Sequence, residues 1–562
     1  MLVAAAILIY LPALRGGLIW DDRVYLDNPV FRSPGALWEF WVNRTQMDYL
    51  PLTFSGLWLQ WRAWGEATLG FHLVSALLHA AGAIAAWRVL VRLRVRGAFL
   101  AAALFLVHPT AVESVAWIAE QKTLLCYALA MTSLLLYLQF DESQDERSYA
   151  GALALFFFAL AAKPSAVTLP LVLLLVVWWR HGRIGRGDLL RSAPFFALAA
   201  VASAVTIWFQ QRVIGGRPMP THGAAERSAQ AIKALWFYLG EAVAPHGQVF
   251  FYPRWANPGF DVAAVAGVVA VTAGIAVGWK FRRSWGRPLL FALACLVALS
   301  LPTLGLVNMN WLEFAPVADH YCYFPTIVPL ALIVAAGATL VDRRPALRQV
   351  ASGAAVLAIV VFAGLSWRHA HDFADEDTLW RVTLQRNPQA WAAENGLGMA
   401  ALNSDDLTSA LLHLQRAVEI NPGYAALHTN LGAALQREQR LDEAAAQYEW
   451  ALRLNPKVVE TRYDLGLVYL SQQRLSQAEK QFARAVELDS QFFAGESKLA
   501  QTLEAEGRLD EAERHYARAA RLNPSSAEAH EVLALCLRRM GRNEEALAEH
   551  RAAMLLLGQN PR

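Results

Sequence analysis

The chain has 562 residues, of which 56% are hydrophobic and 17% charged, and a net charge of +3. Soluble domains average about 25% charged residues, so much of this chain is composed for lipid, in keeping with its mean hydropathy of +0.28. The small net charge argues against a nucleic-acid partner. The four cysteines, Cys126, Cys295, Cys322 and Cys536, have the spacing of neither a disulfide framework nor a metal site.

Met1–Leu14 is apolar throughout and has no basic stretch before it. The Arg15-Gly16-Gly17 that follows is a poor cleavage site, so the segment reads as a retained membrane anchor. Asp21 and Asp22 come directly after it. Ionised carboxylates at a membrane boundary are costly to place and usually have a task. Further apolar runs cover 71–91, 97–110, 122–140, 149–162, 165–180, 193–211, 261–279, 288–307, 321–341 and 347–367, which with 1–19 makes eleven candidate spans. Residues 229–244 add an apolar helix of re-entrant or interfacial type.

Four connectors carry the arginines: Arg88 to Arg96, Arg180 to Arg191, Lys280 to Arg287, and Arg343 to Arg348. The positive-inside rule places all four in the cytoplasm. The N-terminus is then cytoplasmic, and the 20–70 loop and everything after the last span are extracytoplasmic. The acidic loop Asp141–Arg147 falls on the arginine side, a weak objection because acidic residues count little in that rule.

This topology collects polar islands on the outer face. Besides the acidic pair they are His108 to Glu113, Glu120-Gln121-Lys122, Lys163-Pro164, the loop 212–260, and Asn308 to Tyr321. Each has a structural alternative. Lys163 can snorkel, His108 and His320 can be satisfied interface histidines, Glu113 can lie on a solvated face, and the acidic pair can cap a helix. Trp38, Phe40, Trp41, Trp58, Trp61 and Trp64 of the first loop suit a helix lying on the membrane. Ordinary packing of that helix is as good a reading as sugar stacking.

After residue 370 the sequence turns polar and repetitive. Ala410, Ala444, Ala478, Ala512 and Ala546 recur every 34 residues, as do Ala417, Ala451, Ala485, Ala519 and Ala553. Leu397-Gly398, Leu431-Gly432 and Leu465-Gly466 share the period, and Pro388, Pro422, Pro456 and Pro524 punctuate it. This is the tetratricopeptide pattern, in which small residues let paired helices approach and Asn-Pro ends the second helix. The expected architecture is all-α. Residues 1–370 form a polytopic helical membrane domain, 371–388 a linking helix, and 389–562 a solenoid of five repeats.

A carboxylate can deprotonate a hydroxyl acceptor, and Lys or His can neutralise a phosphate leaving group. Nucleotide sugars are not supplied outside the membrane, which favours a lipid-linked phosphate donor. No Gly-rich phosphate loop, HExxH or Gly-x-Ser-x-Gly is present.

Several strings together resemble the transmembrane and tetratricopeptide repeat-containing O-mannosyltransferases. They are Gly17-Leu18-Ile19-Trp20-Asp21-Asp22, Tyr49 to Thr53, Gly70 to Val74 with His79, Val107 to Ile118, Ala162-Lys163-Pro164, Val317 to Pro325 and Thr378 to Arg381. The resemblance implies a GT-C glycosyltransferase fold, an acidic pair in the first outer loop, and a polyprenyl-phosphate-sugar donor, with a divalent metal open but not favoured. The Ala- and Arg-rich composition suggests a bacterial member, in which the sequon Asn43-Arg44-Thr45 would mean little.

On this reading Asp22 or Asp21 is the catalytic base, with a lean towards Asp22, and Glu113 holds acceptor or sugar hydroxyls. Lys122, Lys163 and His320 meet the donor phosphate, with Asp319, Tyr321, His108 and Arg23 around them. The expected partners are membrane lipid, the lipid-linked sugar, and a protein held in the repeat groove. The expected location is the inner membrane. Two departures stand out. Glu120-Gln121-Lys122 replaces a basic pair, and Asp319-His320-Tyr321 replaces an acidic-Arg-aromatic string, so His320 stands in for Arg. Rival readings are a non-catalytic membrane-anchored scaffold and a ligase or flippase for lipid-linked sugars. A flippase predicts mid-span polar residues or internal membrane repeats, and neither is evident.

Overall fold

The computed structural model describes residues 1–42, 48–214, 223–307 and 309–558, with residues 212–214 described as backbone alone. The sequon, Asn308 and part of the 212–260 loop lie outside the described residues. The described residues form helices, turns and coil with no strand. The chain divides into two compact units, Met1–Ala390 and Trp391–Arg562. The helix Glu376–Arg386 belongs to the first.

In the first unit, seven helices among the described residues are long and apolar enough to cross a membrane. They are Thr68–Arg92, Ile118–Ser143, Pro164–His181, Arg186–Gln211, Val262–Lys280, Gly286–Thr303 and Pro345–Phe373. The difference from eleven has a local cause in each case. Pro109 follows a break at Val107-His108, so 97–110 becomes a bent pair, Ala98–Leu106 and Pro109–Ala116, meeting at 54°. Glu146–Ala162 and Ile327–Arg343 are apolar but stop at 17 residues each. The first apolar segment is two short helices, Leu2–Ile9 and Leu11–Leu14, because Pro12 cannot continue a helix from Tyr10.

The arginine-bearing ends pack as a set. Arg180 binds Asp141 at 2.7 Å and Glu142 at 2.9 Å, and His181 lies 3.1 Å from Asp141. Arg191 reaches Gln144 at 2.9 Å. Arg287 donates to the Trp178 and Trp179 carbonyls that end helix Leu169–His181. The acidic loop therefore sits among the arginines as their counter-charge, at the arginine-bearing end of the spans.

Among the described residues the second unit is ten helices in five pairs, from Trp391–Asn403 to Asn543–Leu556. Its core repeats with the sequence: Leu431, Leu465, Leu499 and Leu533 are buried against Tyr448, Phe482 and Tyr516. A Cβ at Gly398, Gly432 or Gly466 would stand 2.6, 2.8 or 2.5 Å from Leu414, Tyr448 or Phe482, which is why the first three repeats need glycine there. A second register marks the turn inside each pair. Asp405, Gln439, Gln473, Gly507 and Gly541 all have φ between 59° and 80°.

Candidate active site

Helix Asp21–Leu26 starts at Trp20, whose φ of 42° is unfavourable for a non-glycine residue. Packing holds it there. The indole stacks on Trp117 at 5.6 Å and is walled by Phe250, Phe251, Trp311, Phe314 and Trp380. Aromatic contacts of this kind offset local backbone strain. The strained turn sends the two carboxylates different ways.

Asp22 is 1% exposed and points inward. One oxygen accepts the Ile19 N–H at 3.0 Å and the other the Ala119 N–H at 2.7 Å. It thereby ties the start of helix Asp21–Leu26 to the turn before helix Gln121–Ser143. Burial outweighs those two donors and pushes its carboxyl up to about 8. Asp21 keeps part of its surface open. Burial raises it to about 6, with Lys122 pulling the other way and Asp48, Glu120 and His320 also within electrostatic reach.

Beside Asp21 lies a buried ion triad. Glu120 is 1% exposed and bridges Lys122 at 3.1 Å and Lys163 at 3.0 Å, one ammonium on each oxygen. Lys163 also donates to Thr123 Oγ1 at 2.6 Å, and Thr123 donates to Glu120. Lys122 Nζ lies 5.4 Å from the Trp117 ring centre and 5.5 Å from that of Tyr25, whose hydroxyl it meets at 3.4 Å. Two ammonium groups against one carboxylate leave one positive charge, held rigidly in an aromatic wall. Such a centre suits a phosphate.

Glu113 is spent on the neighbouring segment. Its two oxygens accept the His320 backbone N–H at 3.0 Å and meet His320 Nδ1 at 2.8 Å. The ring of His320 is packed by Trp311 at 4.6 Å and Tyr321 at 4.4 Å. Asp319 is buried, accepts from the Tyr252 hydroxyl at 2.8 Å, and lies 3.9 Å from His369 Nε2. Burial, with Glu113 nearby, holds it well above the usual carboxylate range.

Asp21, Lys122, Lys163, His320 and Tyr321 thus gather in one place, with Glu113 and Asp319 behind them. His108 and Arg23 are elsewhere. His108 is fully buried; its Nδ1 accepts from the Thr110 N–H and its Nε2 meets the Ala242 carbonyl at 3.2 Å. Arg23 is exposed and faces Glu376. Glu120 as the shared carboxylate, Thr123, Tyr25, Trp20 and Trp117 escape a reading by residue. The spacing of Glu120 and Thr123 on one helical turn beside Lys122 is the signal that could have found the first two. Among the described residues no three His, Cys, Asp or Glu side chains gather as metal ligands would.

A tetratricopeptide repeat family model matches residues 378–425, 429–491 and 497–559. The chain is 32% identical over 194 residues to the protein O-mannosyl-transferase Tmtc2 of Drosophila melanogaster, covering 30% of this chain and 20% of that protein. It is 24% identical over 189 residues to the protein O-mannosyl-transferase F38B6.6 of Caenorhabditis elegans, covering 31% and 27%. With Tmtc1 of Drosophila melanogaster the figures are 31% over 191 residues, 29% and 21%. The chain thus matches less than a third of the length of each relative. All three are animal proteins, and they lend no support to a bacterial origin.

Among solved structures, MamA is 18% identical over 29% of this chain and 95% of that one, with a TM-score of 0.28. YrrB, described as a tetratricopeptide protein with an unusual peptide-binding site, is 22% identical over 32% and 92%, with a TM-score of 0.29. The chain carries tetratricopeptide repeats behind a set of long apolar helices that fit a membrane protein, and it resembles the tetratricopeptide-containing protein O-mannosyl-transferases.

Proposed function

We propose that the chain is a membrane glycosyltransferase of the GT-C class. It moves a hexose, mannose or another, from a polyprenyl-phosphate donor to a hydroxyl on a protein, on the extracytoplasmic face. The observation that carries this reading is the half-buried Asp21 beside a centre of net positive charge, Lys122–Glu120–Lys163. The names of the similar animal proteins support the same class of reaction.

The donor phosphate sits against Lys122 and Lys163, with Tyr321 and the His320 ring at its side. The acceptor hydroxyl gives its proton to an Asp21 oxygen as its own oxygen bonds to the anomeric carbon. The bond from that carbon to the phosphate oxygen breaks, and the phosphate leaves with the electron pair, neutralised by the ammonium groups. Attack opposite the leaving group inverts the anomeric centre. A phosphate leaving group needs no general acid, so one carboxylate suffices. Asp22, both oxygens occupied and its carboxyl raised to about 8, positions Asp21 and is a poorer base at neutral pH. Glu113 sets the His320 segment in place. The repeat groove presents the protein acceptor, a role that stacked helical repeats suit.

The test is transfer in vitro from polyprenyl-phosphate-mannose and -glucose to candidate acceptor peptides. Wild type is expected to transfer one of them, Asp21→Asn to lose at least about a hundredfold in rate, and Asp22→Asn to keep measurable activity. Equal transfer by all three, or none by wild type from either donor, would overturn the assignment and favour a non-catalytic scaffold.

A further inference from the structure

A cavity of about 300 Å³ opens among five helices of the first unit, lined by groups such as Leu90, Leu134, Val176, Phe291, Ala331 and Thr339. None of the acidic-site residues lines it. Along helix Ile327–Arg343 its wall extends from Ile327 to Thr339. At 1.5 Å per residue that is about 18 Å, more than half of a hydrocarbon core of about 30 Å. The lining is apolar except at one end, where Arg94 and Arg96 stand at the mouth.

The two arginines differ. Arg96 is engaged, 3.3 Å from Asp342 and 3.3 Å from the Thr339 hydroxyl. The exposed Arg94 guanidinium has no hydrogen-bond or ion-pair partner among the described residues. Its backbone has a φ of 55°, where glycine or asparagine would be cheaper. A cation thus occupies a strained position at the mouth of a long apolar slot.

The chain of a lipid whose phosphate sat at Lys122 and Lys163 would enter from the Ile327 end and bring no anion to Arg94. A slot with its cation at the opposite end fits a lipid carrying its own negative headgroup there. We infer that this cavity binds one acyl chain of an anionic phospholipid from the arginine-side leaflet, with its headgroup phosphate on Arg94. This inference does not depend on the glycosyltransferase reading.

The test is native mass spectrometry of the delipidated full-length chain in detergent. Dioleoylphosphatidylglycerol and dioleoylphosphatidylcholine are supplied separately, each with and without polyprenyl phosphate. Wild type is expected to hold one phosphatidylglycerol with a preference of about fivefold or more over phosphatidylcholine, as one basic group at an anionic headgroup supplies. Arg94→Gln should abolish the preference, Arg94→Lys should keep it, and Arg183→Gln, an exposed arginine outside the cavity, should leave it unchanged. Ala331→Phe, which fills the slot, should lower occupancy by both lipids. Should that variant fail to fold, the Arg94 pair still decides. Equal binding of the two phospholipids by wild type, or a preference that survives Arg94→Gln, would overturn the inference. Displacement of the phospholipid by polyprenyl phosphate would also overturn it and assign the slot to a donor chain.

Discussion

Asp21 and Asp22 are neighbours in sequence and opposites in environment, and the contrast separates catalysis from folding. Asp21→Asn should leave the thermal midpoint nearly unchanged while removing transfer. Asp22→Asn places an amide nitrogen where one backbone N–H needs an acceptor, so it should cost about 1–3 kcal/mol in stability, measured by thermal unfolding in detergent. The pH profile follows from Asp21, whose carboxyl is raised by burial to about 6. A base must be ionised to accept a proton, so kcat/KM should rise as pH passes upward through about 6 and then level. A rate flat from pH 5 to 8 would count against Asp21 as the base. Glu120 makes a separate case. Glu120→Gln leaves two buried ammonium groups facing each other, an uncompensated charge worth about 3–5 kcal/mol, and should lower stability more than Lys163→Met does. Both aspartates and both lysines were legible in sequence as outer-face candidates. Which aspartate stays open was not, because that depends on the Ala119 N–H, nearly a hundred residues away.

Single elements are unevenly legible in sequence, for one reason. Apolar length marks a span, and where the helix is also long, as in Thr68–Arg92, sequence and structure agree. Where a proline or a backbone break interrupts an apolar run, as at Pro12 and Pro109, the run is two short helices, because composition does not register a missing N–H. The repeats were legible almost completely, since each helix pair packs on its neighbour by the same residues every 34 positions. Their turn position yields a prediction. Gln473 holds φ at 59°, where the fourth and fifth repeats carry glycine. Gln473→Gly should therefore stabilise the repeats, by about 0.5–1 kcal/mol once glycine's own entropy cost is set against the relieved strain. The helix signal of the full chain on thermal melting measures it. Gly466→Leu should do the reverse, costing about 1–3 kcal/mol by overpacking against Phe482.

On the scale of the whole molecule, sidedness governs the choice of donor. The arginine ends and the acidic site belong to opposite ends of the same spans in sequence, and the proposal that the site end is extracytoplasmic rests on the positive-inside rule. All four native cysteines are buried, so single introduced cysteines can report. With a membrane-impermeant thiol reagent on intact cells, Asp27→Cys should label, whereas Arg283→Cys should label only after permeabilisation. The reverse pattern would place the site in the cytoplasm and remove the argument for a lipid-linked donor. The sequence by itself determined the repeat solenoid, the membrane character of residues 1–370 and the gathering of polar groups at the ends of the spans away from the arginines. These are properties of period, composition and charge, which local physics reads directly. Only the tertiary structure decided that Glu120 joins Lys122 to Lys163, that both Asp22 oxygens accept backbone N–H groups, that His108 is buried against the Ala242 carbonyl, and that Arg94 stands at an apolar slot. Each depends on groups far apart in the chain meeting at hydrogen-bond distance in a medium of low dielectric, where a partner a few ångströms away changes a residue's charge and its role.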